Sequence, residues 1–302
     1  MKKLEEKILA AAKKYEGLPV ALSGGVDSSL LAALIKPKFA ISVDLPGKHG
    51  EIQYAKSVAE FLGIKHEIVT LDESKFDEYT KEAVKAIGRP IPHFNIFPLY
   101  CMYKRLHELG ETAVVLGDGP DETMCGYARD LIIHYLYKIY DYPAFEDYHG
   151  LIDKILPPED KAVLLLTGKS VKGKGSAIES MIKVNIEEMR PDMDDMSNGI
   201  AEHFGIKNRR PYQDDAELDN FMRDLPIEKK IQHIEYGKCA LRKVAEKYLP
   251  YDIAWRKIKV GGPVYPVNKL KGWELIEGEF GKQSWLDYQR NILDAERDLN
   301  VL

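Results

Sequence analysis

Ser23, Gly24, Gly25, Asp27 and Ser28 bring two hydroxyls, a carboxylate and two glycines together within a few positions of the chain. Glycines at a bend permit positive φ and let a ligand approach the main chain closely. The first N–H groups of a helix that follows such a bend lack internal partners and sit at its positive end. The combination suits an anion such as a phosphate, with the hydroxyls as further donors. Asp27 would repel a bare phosphate, so its presence implies a bridging metal ion. A second group, Gly117-Asp118-Gly119-Pro120-Asp121-Glu122 with Gly126-Tyr127 behind it, supplies more carboxylates. Asp121 follows Asp118 at a spacing that lets a first helical turn aim it at the same ligand. Paired acids beside a phosphate loop are costly unless a cation compensates them. Mg²⁺ shared by Asp27, Asp121 and phosphate oxygens is therefore expected. Taken singly, each group has a plainer reading as turn glycines and helix N-caps; their joint occurrence favours nucleotide chemistry.

These residues need a frame to hold them. Pro19-Val20-Ala21-Leu22 reads as the end of a buried strand, and Asp27-Ser28-Ser29 opens an apolar helix through Ile35. Before them, Leu4, Ile8, Ala11, Ala12 and Tyr15 share one helical face. Further strands are expected at 39–43, 65–70 and 113–116, with helices at 51–62 (closed by Gly63), 74–87 and 98–109. This alternation predicts an α/β fold: a parallel sheet with helices on both faces and right-handed crossovers. Ligands of such sheets bind beyond the carboxyl ends of the strands. Ser23, Val43 and Gly117 should therefore meet around one ligand. A helix is expected over 130–142, and the rest of the chain carries mostly helical periodicity. The expected division is a phosphate-binding α/β core at 1–130 and a mostly helical part at 131–302 that completes the ligand site. Gly168 to Ser176 is a basic, glycine-rich loop, read as a solvated segment with a phosphate-touching lid as the alternative.

Composition narrows the function classes. The 302 residues are 45% hydrophobic and 30% charged with a net charge of -5, an ordinary globular balance that argues against bulk nucleic-acid binding. Cys101, Cys125 and Cys239 form no Cys-x-x-Cys pair, which suggests a reducing compartment and neither a disulfide framework nor a zinc ribbon. The start, Met1-Lys2-Lys3-Leu4, reads as an amphipathic helix and not a signal peptide. No apolar stretch reaches membrane-spanning length. A cytoplasmic location is expected.

Ser23 to Ser29 is not a Walker loop, which needs Gly-x-x-x-x-Gly-Lys-Ser/Thr. It resembles the Ser-Gly-Gly-x-Asp-Ser loop of the ATP pyrophosphatases (the PP-loop superfamily, adenine nucleotide alpha hydrolase-like in fold). With Gly117 to Tyr127, Arg209-Arg210-Pro211-Tyr212-Gln213-Asp214, Lys238-Cys239-Ala240-Leu241-Arg242 and Trp255-Arg256-Lys257-Ile258-Lys259, the resemblance narrows to the synthetase domain of asparagine synthetase and β-lactam synthetase. It implies that Leu22, Ser23, Gly24, Gly25, Asp27, Ser28, Val43, Leu116 and Gly117 hold ATP, and that Asp27 and Asp121 bind magnesium. It places Asp118 where the family orients or deprotonates the attacking amine. A lysine after Trp255-Arg256 would stabilise phosphate and oxyanion charge.

The departures bear on substrate. The family lysine falls two positions after an arginine, yet Ile258 stands there, so Lys257 or Lys259 takes the role; Lys259 is preferred, because Lys257 can then occupy the arginine's place. The glutamate often found before the Arg-x-Pro segment is absent, with Lys207-Asn208 in its stead. The phosphate loop begins at residue 23, leaving no room for an N-terminal glutaminase domain, so nitrogen is expected from a separate glutaminase chain, free ammonia or another amine. A homo-oligomer is left open. The expected reaction adenylates a small-molecule carboxylate, aspartate by resemblance, releases pyrophosphate and transfers ammonia or an amine to the acyl carbon. Two alternatives are adenylation of a tRNA base or cofactor precursor, for which the 168–176 loop is the best support, and a non-catalytic nucleotide-binding subunit. Three aligned acids, Asp27, Asp118 and Asp121, count against the latter.

Overall fold

Val20–Ala21 (β1), Ala40–Asp44 (β2), His66–Thr70 (β3), Ala113–Val115 (β4) and Lys207–Arg209 (β5) form one sheet in the order β3-β2-β1-β4-β5, with every pairing parallel. The computed structural model describes residues 1–44, 51–91, 93, 95–131, 134, 177–233, 235–256 and 281–299. Val20 lies opposite both Ala40 and Val115, so β1 is central. The chain runs outward from β1 through β2 to β3 and then returns to the other side of β1 for β4. The strand order therefore reverses between β1 and β4, where open parallel sheets bind ligands.

Alternation along the strands feeds two cores. Val20, Ala40 and Val115 face one layer, built on Lys2–Lys13 (α1), Val26–Ile35 (α2) and Glu51–Leu62 (α3). Ile41, Val114 and Leu116 face the other, built on Phe76–Ile87 (α4) and Ile96–Glu108 (α5). α2 is buried on nearly every side, which accounts for its almost uniformly apolar sequence after Ser29. Leu30, Leu31 and Ile35 are fully buried, each contributing roughly 1.5–3 kcal/mol of transfer free energy.

Pro120–Thr123 (α6) follows β4. Ala177–Val184 (α7) then leads through a π-helical turn, Asn185–Met189, into Arg190–His203 (α8), which packs on α4 and α5. After β5 come Pro211–Asp214 (α9), Ala216–Arg223 (α10), Ile227–Lys230 (α11), Cys239–Ala245 (α12), Tyr251–Ala254 (α13) and Gly281–Leu299 (α14).

The α/β architecture and the largely helical C-terminal part match the sequence reading. One element differs from it. β5 lies in the stretch read as helical, and Lys207-Asn208-Arg209 shows no apolar alternation because it is a three-residue edge strand held by main-chain bonds. Lys207 N–H donates to Thr112 O at 2.9 Å, and Leu116 N–H to Arg209 O at 2.9 Å. The helix expected over 130–142 and the 168–176 loop fall outside the described residues, apart from 130, 131 and 134. No described helix is long and apolar enough to cross a membrane.

Candidate functional site

The turn between β1 and α2 is built from the hydroxyls of its own serines. Ser23 N–H donates to Ser28 Oγ at 3.1 Å, Gly25 N–H to Ser23 Oγ at 3.2 Å, and the two hydroxyls lie 3.0 Å apart. Gly24 has φ +75°, and a Cβ there would come within 2.6 Å of the main chain of Tyr54 and Ala55. The first turn of α3 therefore rests directly on the loop, and only glycine fits. Gly25 is the N-cap of α2, and helix geometry leaves the N–H groups of Val26, Asp27 and Ser28 without intrahelical acceptors. Leu22 and Leu116 are buried, Val43 is half-buried, and Ser23 is exposed.

Gly117 follows β4 so closely beside α2 that a Cβ on it would lie 2.9 Å from Ser28 N. Asp121, in the first turn of α6, points back toward the same place. A Cβ on Gly126 would collide with the Asp121 carboxylate, so that glycine is what lets the side chain fold inward. Asp27 and Asp121 converge on one cation, the ammonium of Lys238, which donates to Asp27 Oδ2 and to Asp121 Oδ1 at 2.6 Å each.

Lys238 has left-handed backbone (φ +55°) and is the N-cap of α12. Its N–H donates to Met124 O at 3.0 Å, and a Cβ on Gly237 would strike Cys125 O, so the two main chains run in contact here. Such a conformation persists only where surrounding structure enforces it. Burial works against the lysine's charge, but the carboxylates of Asp121 and Asp27 outweigh it and hold the ammonium above its usual range.

Arg242 staples this region: Nε donates to Gly237 O at 2.8 Å, and Nη1 to Ala254 O at 2.8 Å and Arg256 O at 2.9 Å. Arg256 in turn lies over the glycine turn, its guanidinium 3.3 Å from the Tyr54 ring centre and its Nη1 donating to Gly24 O at 3.3 Å. Lys257 and Lys259 lie outside the described residues.

Asp118 stands apart from the Lys238 pair. Its Oδ2 accepts from Arg210 Nε at 3.2 Å. Burial pushes its carboxyl upward and Arg210 opposes that. Next to it, Glu122 accepts from Tyr127 Oη, leaves its other oxygen buried without a hydrogen-bond partner among the described residues, and is pushed up to about 7 by burial and by Asp121. Arg190 pairs with Asp219 through both terminal nitrogens, at 3.1 and 3.0 Å.

Asp27 Oδ1 is also buried without a hydrogen-bond partner among the described residues. With Asp121 beside it, the donor set consists of hard carboxylate oxygens, which suits Mg²⁺. No group of three or more His, Cys, Asp or Glu among the described residues could hold a metal by itself. The two aspartates would thus supply part of a coordination shell that phosphate oxygens and water complete.

Ser23, Gly24, Gly25, Asp27, Ser28 and Gly117 are thus brought together, with Asp121 joined to them through Lys238. Lys238, Arg210, Arg242 and Arg256 were visible in the sequence only as landmarks without partners. The signal available for Lys238 was a charged residue between a glycine and the apolar start of a helix.

A parallel sheet whose central strand ends in this serine–glycine turn, opposite a Gly-Asp-Gly turn, defines an α/β protein with the adenine nucleotide alpha hydrolase-like fold. Residues 13–281 match the asparagine synthase family, and the chain belongs to it. It is 23% identical over 265 residues to asparagine synthetase B (glutamine-hydrolyzing) of Escherichia coli strain K12, covering 79% of this chain and 39% of that protein. It is 25% identical over 312 residues to the putative asparagine synthetase (glutamine-hydrolyzing) 1 of Methanocaldococcus jannaschii, covering 89% of this chain and 51% of that protein. A shorter match, 30% identical over 131 residues, joins 36% of this chain to 21% of the asparagine synthetase of Asparagus officinalis. The chain therefore spans about half or less of the length of these curated relatives.

Proposed function

We propose that the protein is an ATP-dependent amide synthetase that forms AMP and pyrophosphate. Family membership supports ATP use and carbon–nitrogen ligation in general terms. The observation that carries the finer reading is the convergence of Asp27, Asp121 and Lys238 beside a turn whose main-chain N–H groups suit a triphosphate. Leu22, Val43 and Leu116 would flank the nucleotide, and Ser23 to Ser28 with Gly117 would hold its phosphates. Asp27 and Asp121 would hold magnesium, which supplies charge neutralisation at the phosphates when bound.

In the first step a substrate carboxylate oxygen attacks the α-phosphorus, forming a P–O bond while the α–β anhydride breaks and pyrophosphate leaves. In the second an amine nitrogen attacks the acyl carbon, loses a proton, and AMP departs. Asp118 receives the amine, and Lys238 neutralises the departing pyrophosphate; Lys259, or Lys257, adds charge to the same end. Positioning and charge neutralisation carry such chemistry. Aspartate is the proposed acid. Ammonia is the proposed nucleophile, with a glutaminase partner as its source, a reading supported by the glutamine-hydrolyzing names of both longer matches.

Incubation with ATP, magnesium, a panel of carboxylic acids and ammonium tests the proposal by nucleotide analysis. Acid-dependent AMP and pyrophosphate in equal amounts is the expected result; ADP and phosphate would reject it.

A further inference from the structure

Arg210 is 6% exposed, and its side-chain donors face acceptors from two parts of the fold, the turn after β4 and α8. Nε donates to Asp118 Oδ2 at 3.2 Å and lies 3.3 Å from Asp194 Oδ1 of α8. Nη1 donates to Asn198 Oδ1 at 3.0 Å, and Nη2 to Ser197 Oγ. The network extends into the core, because Asn208 Nδ2 donates to the same Asn198 oxygen at 3.0 Å and the fully buried Tyr103 donates to Asn208 Oδ1 at 2.7 Å. Asp118 is the more open of the two carboxylates in this set, with 38% of its side chain exposed against 29% for Asp194, while Arg210 exposes 7%.

Two alternatives fit less well. A guanidinium that clamps a substrate carboxylate must present its N–H groups to an open site, whereas Arg210 exposes only 7% of its side chain and each of its three nitrogens already meets a protein acceptor. A purely structural ion pair would not need to end on a carboxylate open to solvent between the glycines of the Gly117 to Gly119 turn. The turn is packed against the same segment: Gly119 has φ +116°, and a Cβ on it would meet Tyr212 and Gln213, just after Arg210. The two residues ahead of the Arg-Arg-Pro segment are Lys207, which is exposed, and Asn208, which bonds Tyr103 and Asn198, so β5 offers Asp118 no acidic partner from those positions.

We infer that Arg210 is a positioning residue for the amine step: anchored by Ser197, Asn198 and Asp194, it fixes the carboxylate of Asp118 in the orientation that receives the nucleophile. The inference rests on the proposed amide synthetase reading and deepens it. It assigns Arg210 to the second half of the reaction only. Adenylation, which takes place at the glycine turn and the Lys238 pair, does not depend on it. A charge-keeping replacement without the fork geometry should retain part of the function, and an isosteric apolar one little.

The experiment compares Arg210→Lys and Arg210→Met with the wild type in two assays. Single-turnover pyrophosphate release with ATP, magnesium and the acid, without amine, reads adenylation. Steady-state amide formation against amine concentration reads the second step, and thermal unfolding shows that each variant is folded. Pyrophosphate release should stay within about twofold of wild type in both variants. The kcat/KM for the amine should fall by about tenfold in Arg210→Lys and about a hundredfold in Arg210→Met, a difference that one lost charged hydrogen bond can supply. Equal losses in both assays by a folded Arg210→Lys protein, or unchanged amine kinetics in Arg210→Met, would overturn the inference. Absence of acid-dependent pyrophosphate release from the wild type would instead overturn the synthetase reading, and the inference with it.

Discussion

Lys238 Nζ lies 2.6 Å from Asp27 Oδ2, although 211 positions of sequence separate the two residues. The same ammonium is 2.6 Å from Asp121 Oδ1, so one tethered cation neutralises two carboxylates from different turns. Lys238 and Asp27 expose only 7% and 12% of their side chains, whereas Asp121 exposes 38%. Removing the cation strands Asp27 above all. Breaking a buried pair in this way costs about 3–5 kcal/mol. Lys238→Met should therefore lose roughly that amount in urea unfolding, and adding Asp27→Asn should restore part of it. A Lys238→Met protein as stable as wild type would show that the two carboxylates do not depend on the lysine.

Gly117 makes a prediction about the joint between β4 and α2. The methyl of Gly117→Ala would lie 2.9 Å from Ser28 N and 3.1 Å from Ser28 Cα, both main-chain atoms that cannot swing away. The strand end and helix start must separate, at a cost of about 1–3 kcal/mol. Gly63→Ala is the comparison, because Gly63 has φ +63° but nothing within 4 Å of its added carbon. That change should cost about 1 kcal/mol from backbone strain alone. Calorimetry should find ATP binding weakened in Gly117→Ala and unchanged in Gly63→Ala.

The contrast between these sites explains what the sequence could disclose. Val20 to Ser29 was legible because apolar strand, glycine bend and apolar helix are contiguous, and each leaves a local pattern. The meeting of Asp27 with Asp121 could be expected from charge alone, since neighbouring acids demand a cation. The sequence reading put magnesium there; the cation seen between them is the ammonium of Lys238, and magnesium remains the proposed partner of the loaded site. Its place between a glycine and an apolar helix start singles out Lys238, but nothing local says which residues it pairs with, because an ion pair across 211 positions has no periodicity. β5 escaped for the opposite reason. Its residues are polar, and its place in the sheet comes from main-chain bonds to β4 that any side chains would permit. Arg210 was read as a landmark of its segment, but its partners Ser197 and Asn198 depend on how α8 is rotated against the sheet edge.

The three cysteines should be inert in the native protein. Cys101, Cys125 and Cys239 are all free and buried. Burial pushes the Cys101 thiol up to about 12, raises Cys239, and holds Cys125 well above the ordinary range. The thiolate is the reactive form, so iodoacetamide near neutral pH should leave the folded protein unmodified and label all three in denaturant. Rapid labelling of any one under native conditions, read by mass spectrometry, would contradict that burial.

Asp130 links the buried polar layer behind the site to pH. It is fully buried, accepting from Asn185 Nδ2 at 3.2 Å and from Tyr127 N–H at 3.3 Å. Burial, opposed by Arg129, pushes its carboxyl from 3.8 up to about 6. Below the lower value both folded and unfolded chains hold the proton. Between the two values the unfolded chain releases it while the folded one keeps it, so folding stability falls as pH rises and then levels off above about 6. A shift of about two units corresponds to about 3 kcal/mol. Asp130→Asn has no proton to release, so wild-type stability minus that of the variant should drop by up to about 3 kcal/mol between about pH 4 and pH 7. Urea unfolding at the two ends of that range reads the difference directly. If the difference stays constant, Asp130 is ionised in the folded protein throughout, and the Arg129 guanidinium outweighs the cost of burial.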